Sequence, residues 1–417
     1  MNYTVYHLHT ENSLLDSCTN YKLYVDRAVE LGQKAICFTE HGNIYNWVEK
    51  KMYCDEKGIK YLHGIECYLT ATFDEIVRDN YHTILIAKNE DGFKELNNLI
   101  FLSTHPDHKY YSPRLSFDEF LNISDNIIKI SACVQSPLNK ARNNPLIDKL
   151  LRHYDYYEIQ YHDMPEQIEY NKYLYEMSKK YHKPLIVGTD THSLNEYKAE
   201  CRMLMMLRKG MEYSYEESCD LTYKSYDEAV EMFMKQNSLP MDIVLDALEN
   251  TNRMADSVFD LVLDKTVKYP YLYGEDDEKV LKQVINTKYK QKLAAGIITK
   301  NHQYIENIRE EMRVFKKINM VGFMLFMSEM MSWCRENGIP TSPCRGSVGG
   351  STIAYISDII DVDPIKWHTV FSRFANEYRE EVGDIDIDIY DDQRQLVYDY
   401  IINRFGKEKT AYILSMG

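Results

Sequence analysis

Nine side chains able to bind a metal recur through the first half of the chain at short spacings. His7-Leu8-His9 sets two imidazoles two residues apart, and Asp190-Thr191-His192 repeats that spacing with a carboxylate and an imidazole. Between them lie Asp16, His41 in Thr39-Glu40-His41-Gly42, Glu66 in His63-Gly64-Ile65-Glu66, His82, and Cys133 closing Lys129-Ile130-Ser131-Ala132-Cys133. Residues i and i+2 of an extended strand share a face, so each pair offers two ligands to one side. Neutral imidazole, thiolate and carboxylate form the ligand set for Zn²⁺, Mn²⁺ or Fe²⁺. Singly, each has a plainer reading: a lone histidine is a satisfied core residue, and Cys133 a small buried hydrophobe. Paired ligands plus single ones at successive strand ends point instead to a metal site. His105, His108, His153 and His182 fall in helical or loop sequence and read as surface residues.

A second constellation lies near the other end. In Asp384-Ile385-Asp386-Ile387-Asp388-Ile389 three carboxylates alternate with three isoleucines. As a strand, this segment puts its acids on one face, where crowded like charges resist ionising together unless a cation neutralises them. Mg²⁺ binds such oxygen-rich clusters, although a half-exposed edge strand with solvated acids fits the segment alone as well. Upstream, Arg345-Gly346-Ser347-Val348-Gly349-Gly350-Ser351 runs into an expected helix from Thr352 to Ile360. Glycines let backbone amides approach an anion, a helix N-terminus adds partial positive charge, and Arg345 and the serines can bond phosphate oxygens. The loop lacks the Lys-Ser/Thr ending of a Walker A motif. By itself it reads equally as a tight turn before a helix.

The elements that must carry these residues alternate. Thr4–Leu8, Lys34–Thr39, Tyr61–Leu69, Tyr81–Ala87, Ile127–Ala132, Tyr156–Tyr161 and Leu185–Gly188 read as strands. Helical stretches fall between most of them: Tyr21–Leu31 capped by Thr19 or Asn20 and closed by Gly32, Asn43–Glu56 ended by Gly58, and Glu166–Tyr181. Strand–helix repetition implies a parallel sheet, open or closed into a barrel, and ligands at strand ends then face one crevice. From about Lys198 the sequence is helical and irregular. Tyr269–Gly274 with the acidic Glu275–Glu278 reads as a linker, followed by helices over Lys279–Ala294 and Tyr304–Asn319. Ala411-Tyr412-Ile413-Leu414 reads as a buried strand.

The 417 residues are 44% hydrophobic, enough for real cores, and call for two or three domains. A formal net charge of −15 opposes a general electrostatic grip on a phosphate backbone, so nucleic-acid contact should be local and metal-mediated. Nine scattered cysteines suggest reduced thiols, and Met1–His7 has no basic stretch followed by an apolar run. The longest Met-rich apolar run, Phe323–Trp333, is too short to span a bilayer and contains Glu329. The expectation is a cytoplasmic chain with no membrane partner.

His7-Leu8-His9-Thr10, Thr39-Glu40-His41-Gly42, Gly64-Ile65-Glu66 and Asp190-Thr191-His192 resemble the motifs of the polymerase-and-histidinol-phosphatase (PHP) family. The resemblance implies a distorted (β/α)₇ barrel holding up to three metal ions at the carboxyl ends of its strands. Its ligand pattern falls on His7, His9, Asp16, His41, Glu66, His82, Cys133, Asp190 and His192. Glu40 stands where the family usually has Asp and is not counted as a ligand. Metal-dependent phosphoester hydrolysis, including 3′–5′ exonuclease action, is what this implies.

The order Asn337-Gly338-Ile339-Pro340, the Arg345 loop, Asp361-Val362-Asp363-Pro364, Phe371-Ser372-Arg373-Phe374 and the alternating acids, then Tyr400–Gly406, is similar to the bacterial replicative DNA polymerases of family C, the polymerase III alpha family. The resemblance runs through the chain and matches least between about Lys198 and Pro270. It implies an α/β barrel followed by a partial α+β palm: residues 1–270 as the PHP domain, with its core in 1–197, and 271–417 as the N-terminal part of the palm. Asp384 and Asp386 would be two of three catalytic carboxylates holding Mg²⁺, with Asp388 supporting. Arg345, Gly346, Ser347 and Arg373 would contact the incoming triphosphate. Gly383 replaces the usual Pro, and Val348 and Gly349 vary the loop. The family's chain continues for several hundred residues, so this one is expected to be a truncation, half of a split gene, or the segment before an intein or intron. It would then need a C-terminal polymerase fragment, and the complete enzyme would take primer-template DNA, dNTPs, a sliding clamp and other replisome subunits. The alternatives are a free-standing PHP phosphatase and a non-catalytic scaffold.

Overall fold

The computed structural model describes residues 2–73, 77–210, 219–264, 269–378 and 383–411. It divides into two units, Met1–Leu263 and Asp264–Gly417. The expected strand over Ala411–Leu414 lies outside the described residues from 412 onward.

The first unit contains the strands β1 (Ala35–Phe38), β2 (Lys60–Thr70), β3 (Tyr81–Ala87), β4 (Arg114–Ser116), β5 (Ile127–Ile130), β6 (Tyr157–Ile159) and β7 (Leu185–Val187). All but β4 join residues 4–9 in a closed ring. Val5 bridges to Ile36 on β1, β1 pairs with β2, β2 with β3 and β3 with β5. Ile130 then bridges to Tyr156 before β6, β6 pairs with β7, and Thr191 after β7 bridges back to Leu8. The ring has seven members, and β4 pairs with β2 off this path.

Side-chain alternation sorts each strand into an inner and an outer layer. Cys37, Leu62, Ile84, Ile86, Ile128, Ile130 and Ile186 form one buried cluster with Met254 and Ala255 at the end of the helix Met241–Ser257 and with Val258 just past it. Their strand neighbours Ile36, Phe38, Tyr61, Ile65, Leu85, Ile127, Leu185 and Val187 join a larger cluster with the surrounding helices. The first cluster is thus the barrel interior. The helix Tyr21–Glu30 shows how the outer layer is fixed. Asn20 caps it by accepting from Lys22 N at 3.0 Å, its buried face is Tyr21, Tyr24, Val25 and Ala28, and Gly32 leaves it at φ +69°.

Two strand expectations need correction. The sheet is not wholly parallel, because β3 runs antiparallel to both β2 and β5. Residues 4–8 are also no continuous strand, and carry bridges at Val5 and Leu8 alone among the described residues. Side chains take the missing ladder partners: Thr4 N donates to Thr251 Oγ1 at 2.9 Å and Leu8 N to Thr39 Oγ1 at 3.0 Å. The break shifts the alternation, since Tyr6 lies in the inner cluster while Val5 and Leu8 both lie in the outer one. His7 and His9 are thereby turned inward.

The second unit is built of helices around a methionine-rich core. Val321–Glu336 buries Met324, Met327, Met330 and Met331 and packs against Asp277–Ala294 and His302–Lys317. Residues 269–273, expected as linker, are fastened here: Tyr269 stacks on Phe323, and the Leu272 and Tyr273 amides donate to Asp277. The expected helix Thr352–Ile360 stops at Ile356. The acidic segment is not a strand: among residues 383–389 Ile389 alone pairs, in an antiparallel bridge to Thr341. Its alternation survives, because Ile385, Ile387 and Ile389 pack on the core while Asp384 and Asp388 stay exposed. An extended segment with one bridge has its amphipathic faces without a neighbouring strand to complete a ladder.

A candidate metal centre in the barrel mouth

The nine sequence-selected residues meet at one end of the ring. His7 and His9 leave the N-terminal segment there, His41 follows β1, Glu66 lies on β2 opposite His41, Cys133 follows β5, and Asp190 and His192 follow β7. His82 stands at the beginning of β3 rather than its end, and the reversed direction of that strand brings it to the same mouth. Asp16 arrives on the loop after His9, where Arg202 bonds both its carbonyl and its carboxylate.

Each of three imidazoles is turned by its Nδ1. Glu158 Oε1 holds His7 Nδ1 at 2.8 Å, Ser13 Oγ holds His9 Nδ1 at 3.1 Å, and the Asp190 carbonyl holds His192 Nδ1 at 2.7 Å. Their Nε2 atoms face the carboxylates: His7 is 3.4 Å from Glu66 and 3.2 Å from Asp190, His9 is 3.4 Å from Asp190, and His192 is 3.2 Å from Asp16. His41 lies between Asp16, at 2.8 Å, and Glu66, and stacks on His9 with ring centroids 4.1 Å apart. His82 Nδ1 is 2.8 Å from Glu66 and 3.6 Å from Cys133 Sγ. Orienting a ligand imidazole through its other nitrogen is how metal sites fix the ring and its tautomer.

The residues fit a metal. His7 Nε2, His9 Nε2 and Glu66 Oε1 are buried with no hydrogen-bond partner among the described residues. Donor atoms of His9, His41 and His192, of His7, His9 and Glu66, and of Glu66, His82 and Cys133 form three groups, each within 4.8 Å. Burial, with His41 and His192 adding to it, holds His9 down to about 3, as a neutral ring. Burial opposes charge on His41 too, but Glu66 and Asp16 overcome it and lift the ring to about 10. Burial would raise Asp16, Glu66 and Asp190, yet the facing histidines hold all three below the usual carboxylate range. Burial, then Asp190 and Glu66, push the Cys133 thiol up, so it ionises only beside a cation.

Further residues line or brace the cluster. Glu158 on β6 anchors His7, and an added carbon at Gly188 would overlap its carboxyl. Glu40, not counted as a ligand, accepts from Ser13 Oγ at 2.6 Å and Lys50 Nζ at 2.6 Å; burial would raise it, but Lys50, His9 and Ser13 bring it down to about 2. His162, after β6, lines the cleft of about 560 Å³ that also exposes Asp16, His41, His82, Cys133, Asp190 and His192. For His162 the available signal was the one used elsewhere, a metal-competent residue just past a strand, whereas Glu158 lies within β6 and carried no such signal. The expected surface histidines divide: His105 and His182 are exposed, while His108 and His153 are half-buried.

In the second unit the Arg345 loop and the acids are adjacent. Arg345 pairs with Asp388 at 2.5 Å and lies 3.7 Å from Asp386, and a carbon added at Gly346 would sit 3.3 Å from Asp386 and 3.9 Å from Asp384. Ser347–Gly350 forms a 3-10 turn that packs on the turn Phe371–Arg373. The expected anion site at the following helix is corrected. The buried carboxylate of Glu311 already takes its donors, Ser351 Oγ at 2.7 Å, Thr352 N at 2.7 Å and Ile353 N at 2.9 Å.

A family model described as the PHP domain matches residues 6–179, and one described as the bacterial DNA polymerase III alpha NTPase domain matches residues 279–417. The DNA polymerase III subunit alpha of Aquifex aeolicus is 30% identical over 98% of this chain and 38% of its own length. That of Borreliella burgdorferi is 29% identical over 99% of this chain and 37% of its own. The chain therefore spans about 38% of the length of these relatives. Among solved structures, a candidate metal-dependent phosphoesterase from Bifidobacterium adolescentis is 13% identical with a TM-score of 0.34, over 48% of this chain and 96% of that one. Endonuclease Q in complex with a 27-mer duplex carrying an abasic lesion is 12% identical with a TM-score of 0.32, over 82% and 93%.

Proposed function

We propose that the chain belongs to the bacterial DNA polymerase III alpha family and serves DNA replication as the N-terminal part of such a polymerase, with a hydrolytic metal centre in the barrel mouth. What supports the hydrolytic reading is the set of three imidazoles, each turned through Nδ1 so that its Nε2 meets carboxylates in one cleft. The proposed reaction is phosphoester hydrolysis at a DNA 3′ end. His7, His9, Asp16, His41, Glu66, His82, Cys133, Asp190 and His192 would hold up to three ions of Zn²⁺, Mn²⁺ or Fe²⁺. Such ions, when bound, supply an acidified water and charge compensation for the scissile phosphate. The protein's own part is orientation. Glu158, Ser13 and the Asp190 carbonyl fix the rings, and Arg78 and Lys140, which line the same cleft, can meet strand phosphates.

We assign residues 1–270 to the PHP domain and 271–417 to the N-terminal part of the palm. There Asp384 and Asp386 would hold Mg²⁺, and Arg345, Gly346, Ser347 and Arg373 would face the triphosphate. The arrangement of Arg345 and Gly346 against both acids supports this reading. In the cytoplasm its partners would be primer-template DNA, dNTPs, the remaining polymerase portion, a sliding clamp and other replisome subunits.

The purified chain loaded with Mn²⁺ or Zn²⁺ is expected to release nucleotides from the 3′ end of labelled single-stranded DNA, and His9→Ala to abolish that release. Intact DNA, or release unchanged by the substitution, sinks the nuclease reading. Turnover of a small aryl phosphate far above that of DNA would make it a free-standing phosphatase instead. Primer extension by this chain alone is not expected, and its observation would refute the division of labour proposed here.

A further inference from the structure

The cleft wall after β6 carries polar atoms that neither the ligand cluster nor the fold uses. His162 is 3% exposed, and neither ring nitrogen has a hydrogen-bond partner among the described residues. Gln167, 1% exposed on the helix Pro165–Tyr181, leaves its Oε1 unpartnered in the same way while its Nε2 is spent on Asn171 at 2.8 Å. Both line the cleft, as do the apolar side chains of Met164 and Leu221. Buried polar atoms without partners are costly, and a fold retains them where something else supplies the partner.

The wall is held in place. The His162 carbonyl accepts from Gln236 Nε2 at 2.7 Å and from Met164 N at 3.0 Å. Burial, opposed by Asp190, takes the ring down to about 4, so the neutral imidazole offers one donor and one acceptor. Gln167 adds a second acceptor. A bare phosphate asks for donors and cations, not for acceptors beside a thioether and a leucine. A sugar with its base asks for that mixture, and the cleft of about 560 Å³ has the size of a site for a small organic molecule.

We propose that His162 and Gln167 form a nucleoside subsite, hydrogen-bonding the sugar and base of the terminal nucleotide whose phosphate the neighbouring ligand cluster holds. This rests on reading the cluster as a phosphoesterase centre. The two residues are binding residues and move no proton.

The test is calorimetric binding of dTMP and of inorganic phosphate to the full chain loaded with Mn²⁺, with metal per chain measured alongside. Wild type is expected to bind dTMP about tenfold more tightly than phosphate. His162→Ala and, separately, Gln167→Ala are expected to erase most of that preference while leaving phosphate affinity and metal content unchanged. No preference in the wild type, or a full preference in both variants, overturns the subsite. Loss of metal and phosphate together with dTMP overturns it as well, by assigning these residues to the metal centre. A wild type that binds neither molecule sinks the phosphoesterase reading itself.

Discussion

A ligand is made as much by what holds its far nitrogen as by the atom it offers. His9 donates to Ser13, Ser13 donates to Glu40, and the buried Lys50 holds Glu40, so an ion pair two residues removed aims an imidazole. Glu158 does this directly for His7 and also accepts from Tyr6 at 2.9 Å. Glu158→Gln keeps the volume and removes the charge. It is expected to weaken metal binding ten- to hundredfold, read by competition with a chelator, with circular dichroism unchanged. Unaltered affinity would mean that His7 is oriented without it. Gly188→Ala is expected to act in the same direction by pushing the Glu158 carboxyl aside. The nine candidate positions drew notice in the sequence because they are metal-competent types, most of them near a strand end or in the loop that follows one. Ser13 and Lys50 bear no such mark, since what matters is how residues from separate segments meet in the fold.

At the scale of elements, the period of 3.6 placed Tyr21–Glu30, Pro165–Tyr181 and Asp277–Ala294 to within about two residues. Strand direction was not legible: a run such as Ile84–Ala87 has the same pattern read either way, and only its partners show that β3 is reversed. The alternation of Asp384–Ile389 was legible, whereas its lack of a pairing strand was not. Glu311 gives the end of the Arg345 loop its own carboxyl acceptor, which no local pattern announced. Burial lifts this carboxyl to about 7, against hydrogen bonds from Ile353, Ser351 and Thr352 that favour its ionised form. Raised in the folded state, it keeps its proton where the unfolded chain, near 4.5, has lost one. Stability therefore falls as pH rises from about 4.5 to about 7, by on the order of 3 kcal/mol, and levels off above that. Glu311→Gln is expected to remove that decline. Melts of both proteins at pH 5 and pH 7.5 with the same slope would clear Glu311 of responsibility.

For the whole molecule, a net charge of −15 leaves few places for a phosphate backbone to settle. Among the described residues that line the candidate metal cleft, the lysine and arginine side chains are Arg78 and Lys140. With two phosphates neutralised, log Kd for single-stranded DNA against log salt should have a slope of magnitude about 1.4. Anisotropy titrations across a salt series measure this, and a slope of magnitude above about 4 would reveal a basic track elsewhere. The closed ring also imposes a timetable. Thr189, 182 residues downstream, donates to the His7 carbonyl, and Leu8 finds its bridge at Thr191. At ribosomal speeds, His7 and His9 wait roughly 10–40 s between their own synthesis and that of the segment that meets them. In that interval the nascent chain displays a bare His-x-His pair without the carboxylate cage that would discriminate among cations. The first residues made thus await partners made 182 residues later, and a metal shared by the whole set would be fixed only once the barrel shuts.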